Sequence, residues 1–329
     1  MRGRWLLVAS VLAAILVTIV TTAVLIMVDP KQPKAEAIKT GGLAGGAIVA
    51  LYALWLNDRR RRTEEARHEL EGQRLGLESE KVADERFARA VELLGHDADQ
   101  VRVGAMHVLA GLARTTPRYK QTVLSVLCAY LRRPFTHPSF DEKADDPDQA
   151  YFGEKERGDV EPEDDREMTV RMTAQRLITD LLPWGSDPDE TQYHLDLTAA
   201  NLSYFRLEGR RFGRLVARRA QFYGITAFRE IVLTKPALFS GGTFHGRVDF
   251  RDGRFEGGIS FQDTTFKSKV DVTGAKVGTF LHVAPQPPDV QIGDLEVLAG
   301  TAFRVDPAGW RLTGDGQAPA GLDDHVQQD

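Results

Sequence analysis

Residues 222–272 read FYGITAFREIVLTKPALFSGGTFHGRVDFRDGRFEGGISFQDTTFKSKVDV. A large apolar residue returns here every five or six places, at Phe222, Phe228, Leu233, Phe239, Phe244, Phe250, Phe255, Phe261, Phe266 and Val272, and the beat runs on to Val277 and Val283. A helix would repeat at about 3.6 and a strand at about 2.0, so the period marks a repeat architecture instead. A chain that turns a corner every five or six residues makes a roughly square coil, with one inward side chain on each of four faces. That register predicts one column of Phe222, Phe244 and Phe266 and another of Phe228, Phe250 and Val272. Upstream the same beat continues at a strict five through Leu197, Leu202, Leu207, Phe212 and the small Ala217.

Around Leu202 the text is Ala200-Asn201-Leu202-Ser203-Tyr204, which resembles the A-(D/N)-L-x-x unit of the pentapeptide-repeat family. The Phe-rich part resembles that family's F-x-G-x-x-F variants. The resemblance covers residues 195–283 and implies a right-handed quadrilateral β-helix, of about four coils by the spacing. It departs from the pattern at one place. Two positions before the inward residue the family has something small, whereas this chain has Phe205, Arg210 and Leu215, so the coil near residues 205–217 is expected to be the least regular.

The rest of the chain reads as other units, giving an α+β multi-domain protein. Residues Trp5 to Val28 carry no charge and are long enough to span a bilayer, which takes about twenty residues. A second apolar run from about Ile38 to Leu56 follows, so residues 1–58 are expected to form a transmembrane helical hairpin in contact with membrane lipid. Arg2 and Arg4 precede it and Arg59, Arg60, Arg61 and Arg62 follow it, which places both termini on the cytoplasmic side of the plasma membrane. Gly41 with Gly45, and Gly42 with Gly46, form two G-x-x-x-G pairs that let helices approach closely, within the hairpin or in a homodimer; the solenoid is a second route to a dimer.

Residues 59–94 are polar and helical, a stalk interrupted by Gly72 and Gly76. Residues 85–135 carry three amphipathic stripes: Phe87, Val91 and Leu94; Val101, Ala105, Val108, Leu109 and Leu112; Val123, Leu124, Leu127 and Leu131. The second and third resemble a HEAT or armadillo-type repeat. Asp99 is expected to cap the second helix, and Thr116 with Pro117 the third. Residues 136–167 hold thirteen acidic side chains against four basic ones and read as a disordered linker. Residues 168–190 resume helical spacing and, with Trp184, are expected to cap the first coil, because a solenoid exposes its end unless something covers it. Residues 284–329 read as a partly disordered tail.

For function, the absences come first. No G-x-S-x-G, phosphate-binding loop, H-E-x-x-H or paired cysteines occur, so no enzyme, metal or cofactor is expected. The single Cys128 reads as a packed thiol, and His245, next to inward Phe244, as an outward side chain. A solenoid that mimics DNA would be acidic; residues 195–283 instead carry fourteen basic and eight acidic side chains. The candidate partner-binding residues are therefore Arg206, Arg210, Arg211, Arg214, Arg218, Arg219, Arg229 and Arg251, with Arg229 and Arg251 expected to stack. With the aromatics committed to the core, no nucleic-acid partner is expected. The expected role is a membrane-tethered scaffold that presents the solenoid to a cytoplasmic protein, with inhibition or protection of a nucleic-acid enzyme as the disfavoured alternative.

Overall fold

The repeat segment folds as its spacing demands. In the computed structural model, which describes residues 2–28, 34–141, 161–283, 288–303 and 309–314, the chain from His194 onward winds into a coil with four flat faces, each a parallel sheet. The first face stacks strands 194–196, 214–216, 237–238, 259–260, 280–282 and 302–303. The second stacks 201–203, 221–223, 243–244 and 265–266, the third 226–227, 248–249, 270–271 and 291–292, and the fourth 211–212, 232–233, 254–255, 276–277, 295–297 and 312–313. Leu202 pairs with Phe222 and Phe222 with Phe244, so the turn length grows where the five-residue beat gives way to alternating five and six. Backbone N–H groups of one coil donate to carbonyls of the next, as from Phe228 to Asp249 at 2.7 Å and from Phe250 to Asp271 at 2.8 Å.

The inward columns form the core. Phe222 lies flat on Phe244, centroids 4.4 Å apart, and Phe244 on Phe266 at 5.1 Å. Phe228 and Phe250 are tilted at 5.6 Å, and Phe239 stacks on Phe261, also at 5.6 Å. Leu197, Leu202, Leu207, Phe212, Leu233, Phe255, Val272 and Val277 are buried in the same interior, while Phe266 is half-buried. Each buried side chain of this size contributes about 1.5–3 kcal/mol. The corners divide by length. From Phe228 on, each five-residue corner carries a residue in the left-handed region two places after the inward one: Glu230, Gly241, Asp252, Asp263 and Gly274. Glycine adopts that conformation without steric cost, and Asp tolerates it through its short polar side chain.

The solenoid is longer than expected, about five turns. Beyond Val283 the regular beat of phenylalanines ends and only Phe303 follows, but Pro288, Leu295 and Val297 are buried, and strands 291–292, 295–297, 302–303 and 312–313 extend the third, first and fourth faces. Trp310 closes this end, stacked on Phe261 at 5.7 Å and edge-on to Phe266. Part of residues 284–329 is thus repeat; residues 284–287, 304–308 and 315–329 lie outside the described residues.

The helices are α1 (Arg2–Val28), α2 (Lys34–Leu93), α3 (Asp99–Thr115), α4 (Lys120–Leu131) and α5 (Pro162–Leu181). The chain divides into two units, residues 1–82 and 83–329. In the second, α3, α4 and α5 share one apolar core with the solenoid, so helical module, cap and repeat are one body. Leu109, Val123, Leu124, Leu127 and Leu131 are buried there, as is Cys128, whose burial pushes the thiol up to about 12. Val108, expected in the stripe, is half exposed, and Met106 and Ala110 take its place. At 100° per residue Val108 lies well round the helix from the buried face. Asp99 sits inside the first turn of α3 and Ala98 takes the cap position; Pro117 opens a 3₁₀ turn, Pro117–Tyr119, ahead of α4.

The expected linker also changes. Residues 142–160 lie outside the described residues, but 136–141 and 161–167 are built into the second unit. Pro162 opens α5 and Glu163, Asp164 and Asp165 occupy its first turn, where acidic side chains meet the positive end of the helix dipole. His137 is buried 3.1 Å from Asp165, and Phe140 lies flat on Tyr223 at 4.0 Å.

In the first unit, α2 runs unbroken through Gly72 and Gly76. Gly46 and Val49 of α2 line an apolar cleft with Val11, Ala14, Ile15 and Thr18 of α1, so this glycine faces the hairpin partner. A methyl group added at Gly42 or Gly46 would meet nothing within 4 Å; the surroundings of Gly41 and Gly45 lie outside the described residues. Among the described residues no helix is long and apolar enough to cross a membrane. The expected pair of spans therefore finds no support there.

Candidate interaction surface

The eight candidate arginines do not form one patch. A coil of five-residue sides turns the chain through a corner between Arg206 and Arg211 and again before Arg214. Arg206 therefore bridges to Ala227 on the third face, Arg211 belongs to the fourth, and Arg214, Arg218 and Arg219 border the first.

Arg210 is not on the surface at all. It occupies the position two before inward Phe212, which the repeat reserves for a small residue, is 8% exposed, and donates to the Leu182 carbonyl at 3.0 Å. Its guanidinium lies 3.7 Å from the Trp184 ring centre, and burial lowers its pKa. Trp184 and Arg210 form a β-bridge, flanked by hydrogen bonds from Gly185 to the Gly209 carbonyl and from Arg211 to the Pro183 carbonyl. The residue is a plug between the first coil and the segment after α5, which removes it from the binding set.

Arg229 and Arg251 are aligned, as the pairing of Ala227 with Asp249 requires, but both are occupied. Arg229 pairs with Glu230 at 3.1 Å. Arg251 binds Asp249 at 2.5 Å and reaches Asp271 at 3.7 Å; its hydrogen bond to Asp249 raises its own pKa. Burial pushes Asp249 up, yet the bonds from Arg251 outweigh it and hold that carboxyl below its ordinary value. The third face is thereby close to neutral at these positions.

The first face differs. Arg214, Arg218 and Arg219 are exposed, and Lys235 stands at the neighbouring corner. Two titrating groups register their field. His194, whose Nδ1 accepts from the Arg214 backbone N–H at 3.2 Å, has a lowered pKa, first through burial and then through the charges of Arg214 and Lys235. Burial raises Asp196, but hydrogen bonds from Thr198 and the charges of Arg132 and Arg218 bring it below its usual range. Arg132, from the residue after α4, pairs with Asp196 at 2.5 Å. So Arg132 and Arg218 act on Asp196, Arg214 and Lys235 act on His194, and exposed Arg219 follows at the same corner. The spacing could not reveal Arg132, which comes from a helix outside the repeat; Lys235 was legible as a charge but not as a neighbour of Arg214.

The second face carries a ladder of stacked rings. Tyr223, covered by Phe140 on one side, stacks on His245 at 4.4 Å, and Lys267 approaches His245 Nδ1 at 3.3 Å. His245 points outward, with Nε2 2.9 Å from Gln221 Oε1. Among the described residues no group of three or more His, Cys, Asp or Glu side chains is placed to hold a metal ion.

A family model described as Pentapeptide repeats (9 copies) matches residues 217–265 and 228–276. No curated protein and no solved structure matches the chain. The matched residues lie wholly within the solenoid, where the inward phenylalanine columns and four parallel sheets stand, so this segment of the chain is made of pentapeptide repeats.

Proposed function

We propose that the chain is a non-enzymatic interaction protein, tethered to the membrane, whose solenoid offers its first face to an acidic protein partner in the cytoplasm. The observation that carries this reading is the contrast in arginine pairing. Arg229 and Arg251 are neutralised by carboxylates, whereas Arg214, Arg218 and Arg219 are exposed, and the charge of Arg218 acts on Asp196. A surface of that kind steers and orients an acidic partner. Inhibition of a nucleic-acid enzyme by DNA mimicry needs the opposite charge, and the carboxylates of Asp249 and Asp271 are already bridged by Arg251.

The tether is supported by the surface of the first unit. Leu12, Leu16, Ile19, Val20, Val24 and Met27 of α1 are exposed, and Thr18 and Thr22 satisfy their hydroxyls on the carbonyls of Ala14 and Thr18 within the helix, as side chains in hydrocarbon must. The test of the docking face is photo-crosslinking in native membranes from a probe amino acid at Thr198, beside Arg218, and from one at Thr273, beside Arg251. The reading expects an adduct with an acidic protein from position 198 and none from 273. Equal adducts, or none from 198, would refute it.

A further inference from the structure

The helix α2 carries an arrangement that neither the solenoid nor the hairpin uses. Tyr52, Trp55 and Arg59 fall at i, i+3 and i+7, on one side of the helix. The rings of Tyr52 and Trp55 are 5.9 Å apart, and the Arg59 guanidinium lies over Trp55 at 5.3 Å from the ring centre. Before and between them Leu43, Val49, Leu51, Leu54 and Leu56 are exposed, and Trp55 itself is half exposed. Just after them come Arg59 to Arg62, with Arg59 and Arg61 exposed and Asp58 the adjoining acid. Apolar surface, amphipathic rings and cationic heads thus follow one another along a single helix within about five turns.

We propose that Tyr52, Trp55, Arg59 and Arg61 form a headgroup-level collar that binds anionic phospholipid. The inference rests on the membrane-tethered half of the function proposed above. The chemistry selects the ligand. Tyr and Trp rings settle where an apolar body and a polar tip are both satisfied, at the boundary of hydrocarbon and headgroups. Arginine adds a bidentate fork that matches phosphate oxygens, and stacking on Trp55 holds the Arg59 fork at the level of the ring. A zwitterionic headgroup places its own cation beside the arginines; an anionic one leaves the phosphate unopposed, so the collar discriminates by net charge.

The experiment uses the full chain. Flotation with vesicles of phosphatidylcholine, and with vesicles of about three parts phosphatidylcholine to one part phosphatidylglycerol, tests the tether; the protein should float with both. Native mass spectrometry of protein released from the mixed bilayer then reads which lipid stays bound. The expected result is enrichment of phosphatidylglycerol, reduced about tenfold or more in the Arg59→Gln, Arg61→Gln chain and retained in Arg59→Lys, Arg61→Lys. The enrichment should also fall as salt is raised. Flotation with both vesicles but no lipid preference, or a preference untouched by the glutamine changes, overturns the collar and leaves the tether standing. Failure to float with either vesicle removes the tether, and the collar with it.

Discussion

The middle of the solenoid and its first coil solve the same problem by different means. Between Phe222 and Phe266 each coil is covered by a nearly identical one, ring on ring, so every inward side chain finds its neighbour in the next repeat. The first coil has no repeat below it. There the cover is assembled from parts: Arg171 of α5, buried, donates to the carbonyls of Leu131 and Arg133 and reaches that of Asn201, while lying over Phe135. Arg210 plugs the position two before inward Phe212, under Trp184, and Asp189 receives Lys120 and Tyr193. Repetition supplies apolar stacking for nothing but its own interior; an end has backbone carbonyls to satisfy, and buried arginines supply the donors.

That difference can be broken from either side. Phe250→Asp places a carboxylate in the stacked column, where burial of an unpaired charge costs more than the domain can offset. We expect loss of the cooperative unfolding transition of the repeat, followed by circular dichroism; a retained β-rich transition would mean that Phe250 is not inward. At the other end, Arg210→Ala leaves the Leu182 carbonyl without its donor and bares Trp184. A destabilisation of about 1–3 kcal/mol is expected, with faster proteolysis near residues 183–185 and the phenylalanine stack intact.

Acid sharpens the same contrast. Burial would raise Asp189, but hydrogen bonds from Thr191, Lys120 and Tyr193 outweigh it and bring the carboxyl down to about 2. Its folded value lies below the ordinary unfolded value of about 3.9, so its contribution is present above that value and is lost as pH falls toward 2. The wild-type chain should therefore lose stability over this window more steeply than Asp189→Asn, as denaturation series at stepped pH would record; parallel curves would remove Asp189 from the cap. The smallest change expected is Arg229→Ala, whose exposed pair with Glu230 is worth within about 0.5 kcal/mol in thermal unfolding.

How far the sequence carried these conclusions follows from the same division. The inward beat was legible because a solenoid core is written one residue at a time, and the stack of Phe222, Phe244 and Phe266 stands where the spacing put it. The last coils were not, because leucine and valine take most inward places there, a single Phe303 remains, and the beat is lost to composition. Net charge hid the start of α5, since the acids that suggest disorder over 136–167 are also the acids that suit a helix N-terminus. In the candidate surface, Arg210 looked like its neighbours. Its place two residues before Phe212, where the repeat wants something small, was the one sign that it is structural. The register of 22 residues that sets Asp249 beside Asp271 was in the spacing already, but that the Arg251 side chain turns to both carboxylates only the folded coil displays.

The most direct test of the docking claim is paired charge reversal read by affinity capture from native membranes. One chain carries Arg214→Glu, Arg218→Glu and Arg219→Glu; its control carries Arg229→Glu on the third face, and both are checked for an unchanged unfolding transition. The account predicts that an acidic partner captured by the wild type is lost from the first chain and kept by the second. Identical captures from all three chains would contradict it.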